Sequence, residues 1–360
     1  YFYLMLDYLV VGCGLAGIAF CEILEKSGKS FHVVSDNSQQ ASLVAGGLYN
    51  PVILKRFSLA WNAREQMDSA IPFYRELEKK LQVQLDYKLR VLRLFASVEE
   101  QNLWFEAADK PNLDYFLSTK ILKNKNLNIH AIHGFGKVRY TGRIDTRTLL
   151  KAYSRHLADN DKFLKESFDY DEFQTHTGFL SYRSIRAKQI VFADGYGLKS
   201  NPFFNYLPLN GTKGELLTIK APDLKEESVI KSSVFIIPLG NDRYRIGATY
   251  KWKDKTNTPT QASRDELLTK LKTFLRCDFD VVEHVAGVRP TVADRRPLVG
   301  AHPLQKNIYC LNGFGSRGVL IAPYAAQQLY QHIENKEALH PEMDVDRFTK
   351  KYFQDSPLTA

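Results

Sequence analysis

Residues 8–20, YLVVGCGLAGIAF, constrain this chain more than any other stretch. An apolar run of Tyr8, Leu9, Val10 and Val11 meets Gly12, Gly14 and Gly17 in GxGxxG spacing, and a helical pattern follows over 18–24. The spacing has a physical logic. Gly12 makes a tight turn, Gly14 lets backbone approach a pyrophosphate, and Gly17 lets helix pack on strand, with the helix N-terminus facing the phosphates. Leu15 and Ala16 complete the cradle. The same glycines would also serve an ordinary tight turn. Here they follow a strand, open a helix, and lead to a second apolar strand at 31–34 that ends on Ser35 and Asp36. An acid about 20 residues beyond the glycines is what a ribose hydroxyl requires. Dinucleotide binding is the expectation.

A chain of 360 residues accommodates one large two-lobed domain or two domains. Its 44% hydrophobic and 25% charged residues are those of an ordinary globular protein. No apolar run approaches the roughly 20 residues that span a bilayer. The apolar opening, YFYLML, is interrupted at Asp7 and has no basic flank, so a signal peptide is not expected and Met5 is a natural start. Cys13, Cys21, Cys277 and Cys310 show no CxxC and no metal-ligand spacing, which points to reduced thiols in the cytoplasm and no metal. The net charge of +9 suits an anionic partner such as RNA, a phosphate-rich cofactor, or solubility alone, and its scatter, unlike the clustered footprint of a nucleic-acid binder, favours the last.

After the second strand, 41–51 (ASLVAGGLYNP) is a small-residue loop suited to close backbone approach. Apolar spacing predicts a helix over 55–82, with Leu59, Ala63, Met67, Ala70, Phe73, Leu77 and Leu81 on one face and a kink or break at Pro72. A strand at 87–96, a helix at 98–108 and an extended piece at 129–139 follow. Asp145 is the expected cap of a helix burying Leu149, Leu150, Tyr153 and Leu157. A hairpin is expected from 163–176 and 178–184, then a buried strand at 189–193 running into Asp194 and Gly195. A strand follows the loop in 208–219, and a second hairpin turns at Gly240, Asn241 and Asp242. Ser263 and Glu266 make a capping box for a helix over 263–275. Finally, strand 307–311, loop NGFGSRG (312–318) and helix 319–333 repeat the strand, glycine turn, helix order of the N-terminus. Such turns in the first and last thirds are expected to close around one ligand.

The ordered motifs GxGxxG, ASLVAGGLYNP, GRIDTRTLLKAY, VFADGYG, LNGTKGELLTI, IGATY, AGVRPTVADRRPLVG and LNGFGSRGVLIAP resemble the D-amino-acid oxidase family of FAD-dependent oxidoreductases. Glycine oxidase, sarcosine oxidase and D-amino-acid dehydrogenase belong to it. The resemblance covers about residues 7–333, and GSRG with AGVRP looks nearest to the C-terminal oxidase domain of the bifunctional tRNA methylaminomethyl-uridine modification enzyme. It implies an α/β fold of mixed α+β character, a glutathione-reductase-like FAD-binding Rossmann domain carrying an inserted mixed-sheet substrate domain. The division expected is 1–80, 140–207 and 285–340 for FAD, 81–139 and 208–284 for substrate, and 341–360 as a C-terminal tail.

The resemblance also implies site residues. Gly12, Gly14 and Gly17 would hold the pyrophosphate of an extended FAD. The family's ribose-binding acid falls at Ser35, so either Ser35 or its neighbour Asp36 takes that place. Ala41, Ser42, Gly46, Gly47 and Leu48 would line pyrophosphate and flavin, and the Phe168 backbone would meet the adenine, closed in by Ala193, Asp194 and Gly195. Gly313, Phe314, Gly315, Ser316, Gly318 and Val319 would lie at the flavin's pyrimidine end, where a helix N-terminus favours negative charge. Arg289 matches the arginine that clamps a substrate carboxylate in a planar fork; the competing role is an ion pair with Asp294. Arg317 is the second anion-binding candidate, against a solvated loop arginine. Tyr250 would shape the pocket or bond the substrate, against sheet packing. Arg295 and Arg296 are expected to be surface charges or to brace a loop. His130, His133, His284 and His302 have no matching acid and nucleophile, and no cysteine has the context for covalent flavin attachment, so FAD is expected to be non-covalent.

Two activities follow from the resemblance: oxidation of a free amino acid or secondary amine, and oxidation of a carboxymethylaminomethyl group on tRNA. A flavin-binding protein without catalysis is the third possibility, against which Arg289 speaks. No motif specifies the electron acceptor.

Overall fold

The fold is that of a computed structural model, which describes residues 5–36 and 38–353. Residues 1–4, Asn37 and the last seven positions of the 341–360 tail lie outside the described residues.

Buried apolar runs flanked by glycine turns build the first sheet. The Met5–Val11 strand pairs in parallel with Phe31–Val34 on one side and with Ile185–Phe192 on the other. Phe163–Leu164 extends the sheet in parallel beyond Phe31–Val34. The far edge of Ile185–Phe192 is shared. Residues 185–187 pair antiparallel with Phe179–Tyr182, and 190–192 pair in parallel with Ile308–Asn312. Val11, Phe192 and Cys310 are therefore neighbours in register, and the turns that follow these three strands open on one edge. In open parallel sheets that edge is where ligands bind. Helices Leu15–Lys26, Ala63–Leu81 and Gly318–Asn335 pack together on one face around Phe20, Leu24, Ala70, Leu77, Ala322 and Leu329.

The second sheet has seven strands, ordered Asp280–Arg289, Thr212–Lys220, Arg243–Gly247, Phe235–Gly240, Val229–Lys231, Val91–Leu94 and Phe135–Val138. One pair, Val229–Lys231 with Val91–Leu94, is parallel; the others are antiparallel. Asn241 and Asp242 both take positive φ, 51° and 57°, as a hairpin turn matching strand twist requires. Helix Gln261–Lys272 covers one face with Leu267 and Leu271. Because Asp280–Arg289 is one continuous strand of this sheet, a domain boundary after residue 284 would cut it.

Several sequence expectations change in detail. The helix expected from 55 begins at Ala63, because Val52–Ile53 and Ser58–Leu59 pair as a short hairpin; Pro72 lies inside one continuous helix and does not divide it. The first expected hairpin shrinks to Phe173–His176 and Phe179–Tyr182, since Phe163–Leu164 pairs elsewhere. Ala41–Val44 is a helical turn within the expected loop, and only Phe135–Val138 of the 129–139 piece is strand. Thr260, not Ser263, caps the Gln261–Lys272 helix, accepting from the Ser263 N–H at 3.3 Å, while Glu266 pairs with Lys251 and Lys270. Asp145 caps its helix as expected, accepting from Thr148 N–H at 3.1 Å, with Leu149, Tyr153 and Leu157 buried. In the tail, Met343 and Val345 are buried and residue 344 bridges Val299.

A Cβ on Gly17 would sit 2.0 Å from the Gly12 carbonyl oxygen, a distance that backbone must move to relieve. Gly17→Ala should lower the stability of the apoprotein in urea by roughly 1–3 kcal/mol or more, the range for overpacking. Gly28, with φ +65° and nothing within 4 Å, is the control. Gly28→Asn should change stability by no more than about 0.5 kcal/mol, since Asn tolerates the left-handed region.

Candidate active site

Three glycine turns meet at the open edge of the first sheet. Gly12 takes φ +103°, donates its N–H to the Val34 carbonyl at 2.8 Å, and leaves only 2.4 Å between a hypothetical Cβ and the Ala193 carbonyl oxygen. The first and second turns thus touch backbone to backbone. Gly14 precedes the Leu15–Lys26 helix, which has no side-chain cap; Ser42 Oγ lies beside it and accepts from Leu15 N–H at 3.2 Å. The Gly318–Asn335 helix is also uncapped, and a Cβ on its first residue would be 3.3 Å from Leu15. Two uncapped helix N-termini therefore adjoin. Apart from Leu15 N–H, which Ser42 takes, their first-turn N–H groups favour an anion at this point.

Asp194 joins the second turn to the third. Its carboxylate accepts from Asn312 Nδ2 at 2.9 Å and from Asn201 Nδ2 at 3.0 Å, while Asn312 Nδ2 also reaches the Gly195 carbonyl and Asn312 Oδ1 accepts from Gly313 N–H at 2.7 Å. Gly195, Gly313 and Gly315 all have positive φ. Burial pushes the Asp194 carboxyl up to about 6, against the pull of its hydrogen bonds.

The remaining cofactor candidates ring this crevice. Ala41 and Val44 abut Gly287 of the second sheet, where a Cβ would meet Val44 at 2.7 Å. Gly46 faces Ile237, and Gly47, at φ +72°, crosses the Ile144 carbonyl oxygen at 1.9 Å from a hypothetical Cβ. Leu48 pairs with Arg143 in a small sheet. Ala16 and Ser316 lie nearer the surface, while Leu15, Phe314 and Val319 are buried. Ser35 donates its N–H to the Leu164 carbonyl. Asp36 is exposed and accepts from Ser167 Oγ at 2.5 Å and from Ser38 N–H at 2.8 Å. Burial raises its pKa, but those hydrogen bonds outweigh it and hold the carboxyl below the usual range. Phe168, next to Ser167, stacks on Tyr182 at 4.4 Å between centroids.

The three catalytic candidates converge on the second sheet's side of the crevice. Arg289 ends its strand with the guanidinium lying across Gly214, where a Cβ would be 1.9 Å from Nη2. It donates to the Thr249 carbonyl at 3.3 Å and stands 4.6 Å over the Tyr250 ring. Arg317 is drawn close because Gly315 N–H donates to the Pro290 carbonyl and Phe314 bridges Thr291. It donates through Nη2 to the Asn50 carbonyl, while its Nε is buried with no partner. Burial lowers both guanidinium pKa values, that of Arg317 to about 10, and the Tyr250 hydroxyl opposes the shift in each. Both stay cationic at neutral pH. Among the described residues neither has a carboxylate partner. The expected competitor, Asp294, instead pairs with Arg347 at 3.1 Å and accepts from Arg296 N–H. Arg295 is an exposed surface charge lying 5.6 Å over Trp252, and Arg296 pairs with Glu342 at 2.8 Å.

Sequence reasoning missed three contributors: Gly214, Thr249 and Asn50. A glycine inside a strand signals close approach, so Gly214 had a trace in GTKGELL. The other two act through backbone carbonyls, which carry no sequence signal. His302 is structural: it is packed among Phe203, Phe204, Tyr206 and Phe353, and its burial lowers the ring pKa to about 4.

Residues 7–331 match the family model described as "DAO: FAD dependent oxidoreductase". The chain belongs to this family. Curated relatives include the glycine oxidase of Bacillus subtilis (strain 168), 30% identical over 174 residues, 46% of this chain and 47% of that one. Another is the tRNA 5-methylaminomethyl-2-thiouridine biosynthesis bifunctional protein MnmC of Nitrosospira multiformis, 26% identical over 159 residues, 40% of this chain and 25% of that one. These matches span about half the length of the first relative and a quarter of the second. The fold is similar to the crystal structure of glycine oxidase from Bacillus cereus ATCC 14579, with TM-score 0.78, 21% identity, and 95% and 97% of the two chains covered. The protein is an FAD-dependent oxidoreductase. The crevice fits the cofactor: two adjoining uncapped helix starts suit a pyrophosphate, and the glycine turns leave no side chain in its way.

A raised Asp194 pKa has a definite sign. The folded value of about 6 exceeds the ordinary 3.8, so ionising this group costs stability, and the favourable contribution present below about pH 4 is lost as pH rises through 6. Asp194→Asn removes that titration. The stability of the variant relative to wild type should rise by about 2.4 kcal/mol between roughly pH 4 and 7, most of the shift at 1.36 kcal/mol per unit. Urea unfolding of the apoproteins across that range checks it; a constant difference would show that Asp194 does not titrate there.

Proposed function

We propose that this enzyme oxidises the C–N bond of a small amino acid or N-substituted glycine, with non-covalent FAD as hydride acceptor, giving an imine that water hydrolyses. The observation that carries this reading is the pair of half-buried guanidiniums, Arg289 and Arg317, flanking Tyr250 without a carboxylate of their own. A buried charge is costly unless paired, and a substrate carboxylate is the natural partner. Arg289 would bind it through the donors not used by the Thr249 carbonyl, and Arg317 through its free Nε. Clamped at one end, the substrate presents its α-hydrogen to the flavin in a fixed orientation, and the Tyr250 hydroxyl can bond the amine or carboxylate. When bound, the flavin supplies the hydride-accepting chemistry. Gly12, Gly14 to Gly17, Ser35 or Asp36, Ala41, Ser42, Gly46 to Leu48, Phe168, Ala193 to Gly195, Gly313 to Ser316, Gly318 and Val319 would hold it. A cytoplasmic setting belongs to the same proposal and is supported by four cysteines, all free.

A tRNA-borne glycine-like group is the second reading. It is favoured by Trp252, two residues beyond Tyr250 and 48% exposed, with Arg295 5.6 Å from its ring, an aromatic and cationic surface on which a base can stack. The purified protein should be yellow and release all its flavin on acid precipitation; flavin left in the pellet would mean covalent attachment. Glycine or sarcosine should bleach the flavin anaerobically. Arg289→Ala should weaken that substrate by roughly 2–5 kcal/mol, as loss of a desolvated charge pair does, with flavin content kept. Salt-sensitive tRNA binding without bleaching by any small amine would replace the first reading with the second.

A further inference from the structure

On the opposite face of the strand that carries Gly214 lies a polar hub with no part in the site described above. Lys213 and Glu215 are both fully buried. Strand side chains alternate, so 213 and 215 share one face and Gly214 lies on the other, beneath Arg289. A buried ammonium is tolerated only when its donors are met. Lys213 Nζ donates to Asp254 Oδ2 at 2.5 Å, to the Thr258 carbonyl at 2.5 Å and to Thr256 Oγ1 at 3.2 Å, with Glu215 Oε1 3.6 Å away. Glu215 accepts from Thr260 N–H at 2.7 Å and Thr260 Oγ1 at 2.8 Å, and lies 2.9 Å from His284 Nε2. The backbone repeats the pattern: Lys213 and Lys251 exchange two N–H···O bonds of 2.9 Å, and Glu215 N–H donates to Thr249 Oγ1 at 3.0 Å.

Apart from Glu215 and His284, these partners all fall within residues 249–260. That segment also supplies the Thr249 carbonyl and Tyr250 ring that fix the Arg289 guanidinium. We propose that Lys213 is a positioning residue for the anion site. Through Asp254 and Thr258 it fastens the 249–260 segment from behind, and so sets Thr249 and Tyr250 against Arg289 on the front. The inference rests on the carboxylate-binding reading of Arg289. An apolar residue at 213 would fill the same space without fixing the register of the segment; three directed hydrogen bonds to it do fix it.

The test uses FAD-loaded protein and acetate as a carboxylate probe, followed by the perturbation of flavin absorbance, in Lys213→Met, Asp254→Asn and each combined with Arg289→Ala. Lys213→Met should weaken acetate by about tenfold and Asp254→Asn by about threefold, the scale of losing charge-assisted hydrogen bonds. Flavin content should stay at the wild-type level. In the Arg289→Ala background neither change should weaken acetate further, because residues acting through one another are not additive. Unchanged acetate affinity, or an equal loss in both backgrounds, overturns the proposal and leaves Lys213 purely structural. If Arg289→Ala alone binds acetate like wild type, the carboxylate reading itself falls, and this inference with it. Should Lys213→Met fail to fold, Asp254→Asn decides the matter, since that carboxylate is 36% exposed and its loss spares the packing.

Discussion

The Gly12 carbonyl oxygen occupies the place where a side chain at position 17 would be, and Gly12 itself leaves no room between its α-carbon and Ala193. Everything in the cofactor crevice depends on this backbone-to-backbone packing. It brings the start of the first helix over the first strand and presses the first turn against the second. Asp194 and Asn312 then tie the second turn to the third. The crevice is assembled from three separate parts of the chain with main-chain atoms at its surface, a construction that suits an elongated polyphosphate ligand.

The opposite wall uses the reverse device. There the backbone is covered by arginine side chains whose charges the protein does not neutralise. Arg289 spans a glycine and stacks on a tyrosine, and Arg317 keeps a buried Nε without an acceptor. Such arrangements reduce folding stability, since each desolvated cation lacks its counter-ion. With Asp294 already committed to Arg347, neither arginine has an acid of its own among the described residues, and the proposed carboxylate site rests on that.

What the sequence disclosed, and what it hid, divides along physical lines. The glycine turns were legible because steric exclusion is local: GxGxxG after a strand has few foldable solutions. The Asp145 cap was legible for the same reason. The helix start at Ala63 was not, because Leu59 fits the helical spacing while tertiary pairing claims it for a short strand. The cap at Thr260 was hidden because Glu215, 45 positions away, holds it there. Asp36 stood out as the acid that ends the second strand, but nothing showed that Ser167, 131 positions on, shares its carboxylate. Asp194 and Asn312 were each visible beside a glycine turn, yet nothing in a linear pattern reports a bond across 118 positions.

The shared edge of the Ile185–Phe192 strand has a consequence for how the chain reaches this state. Its first half is satisfied by the neighbouring hairpin, residues 173–182, while its second half waits for Ile308–Asn312. During synthesis, the amino-terminal Rossmann unit therefore emerges with half of a central strand edge open, and more than a hundred residues of a second sheet are made before the missing strand arrives. Pairings so distant are slow to form and expose apolar strand edges meanwhile. The nascent protein is thus most vulnerable to misassociation in the interval before its last third leaves the ribosome, and a truncation short of residue 312 removes the strand that seals its centre.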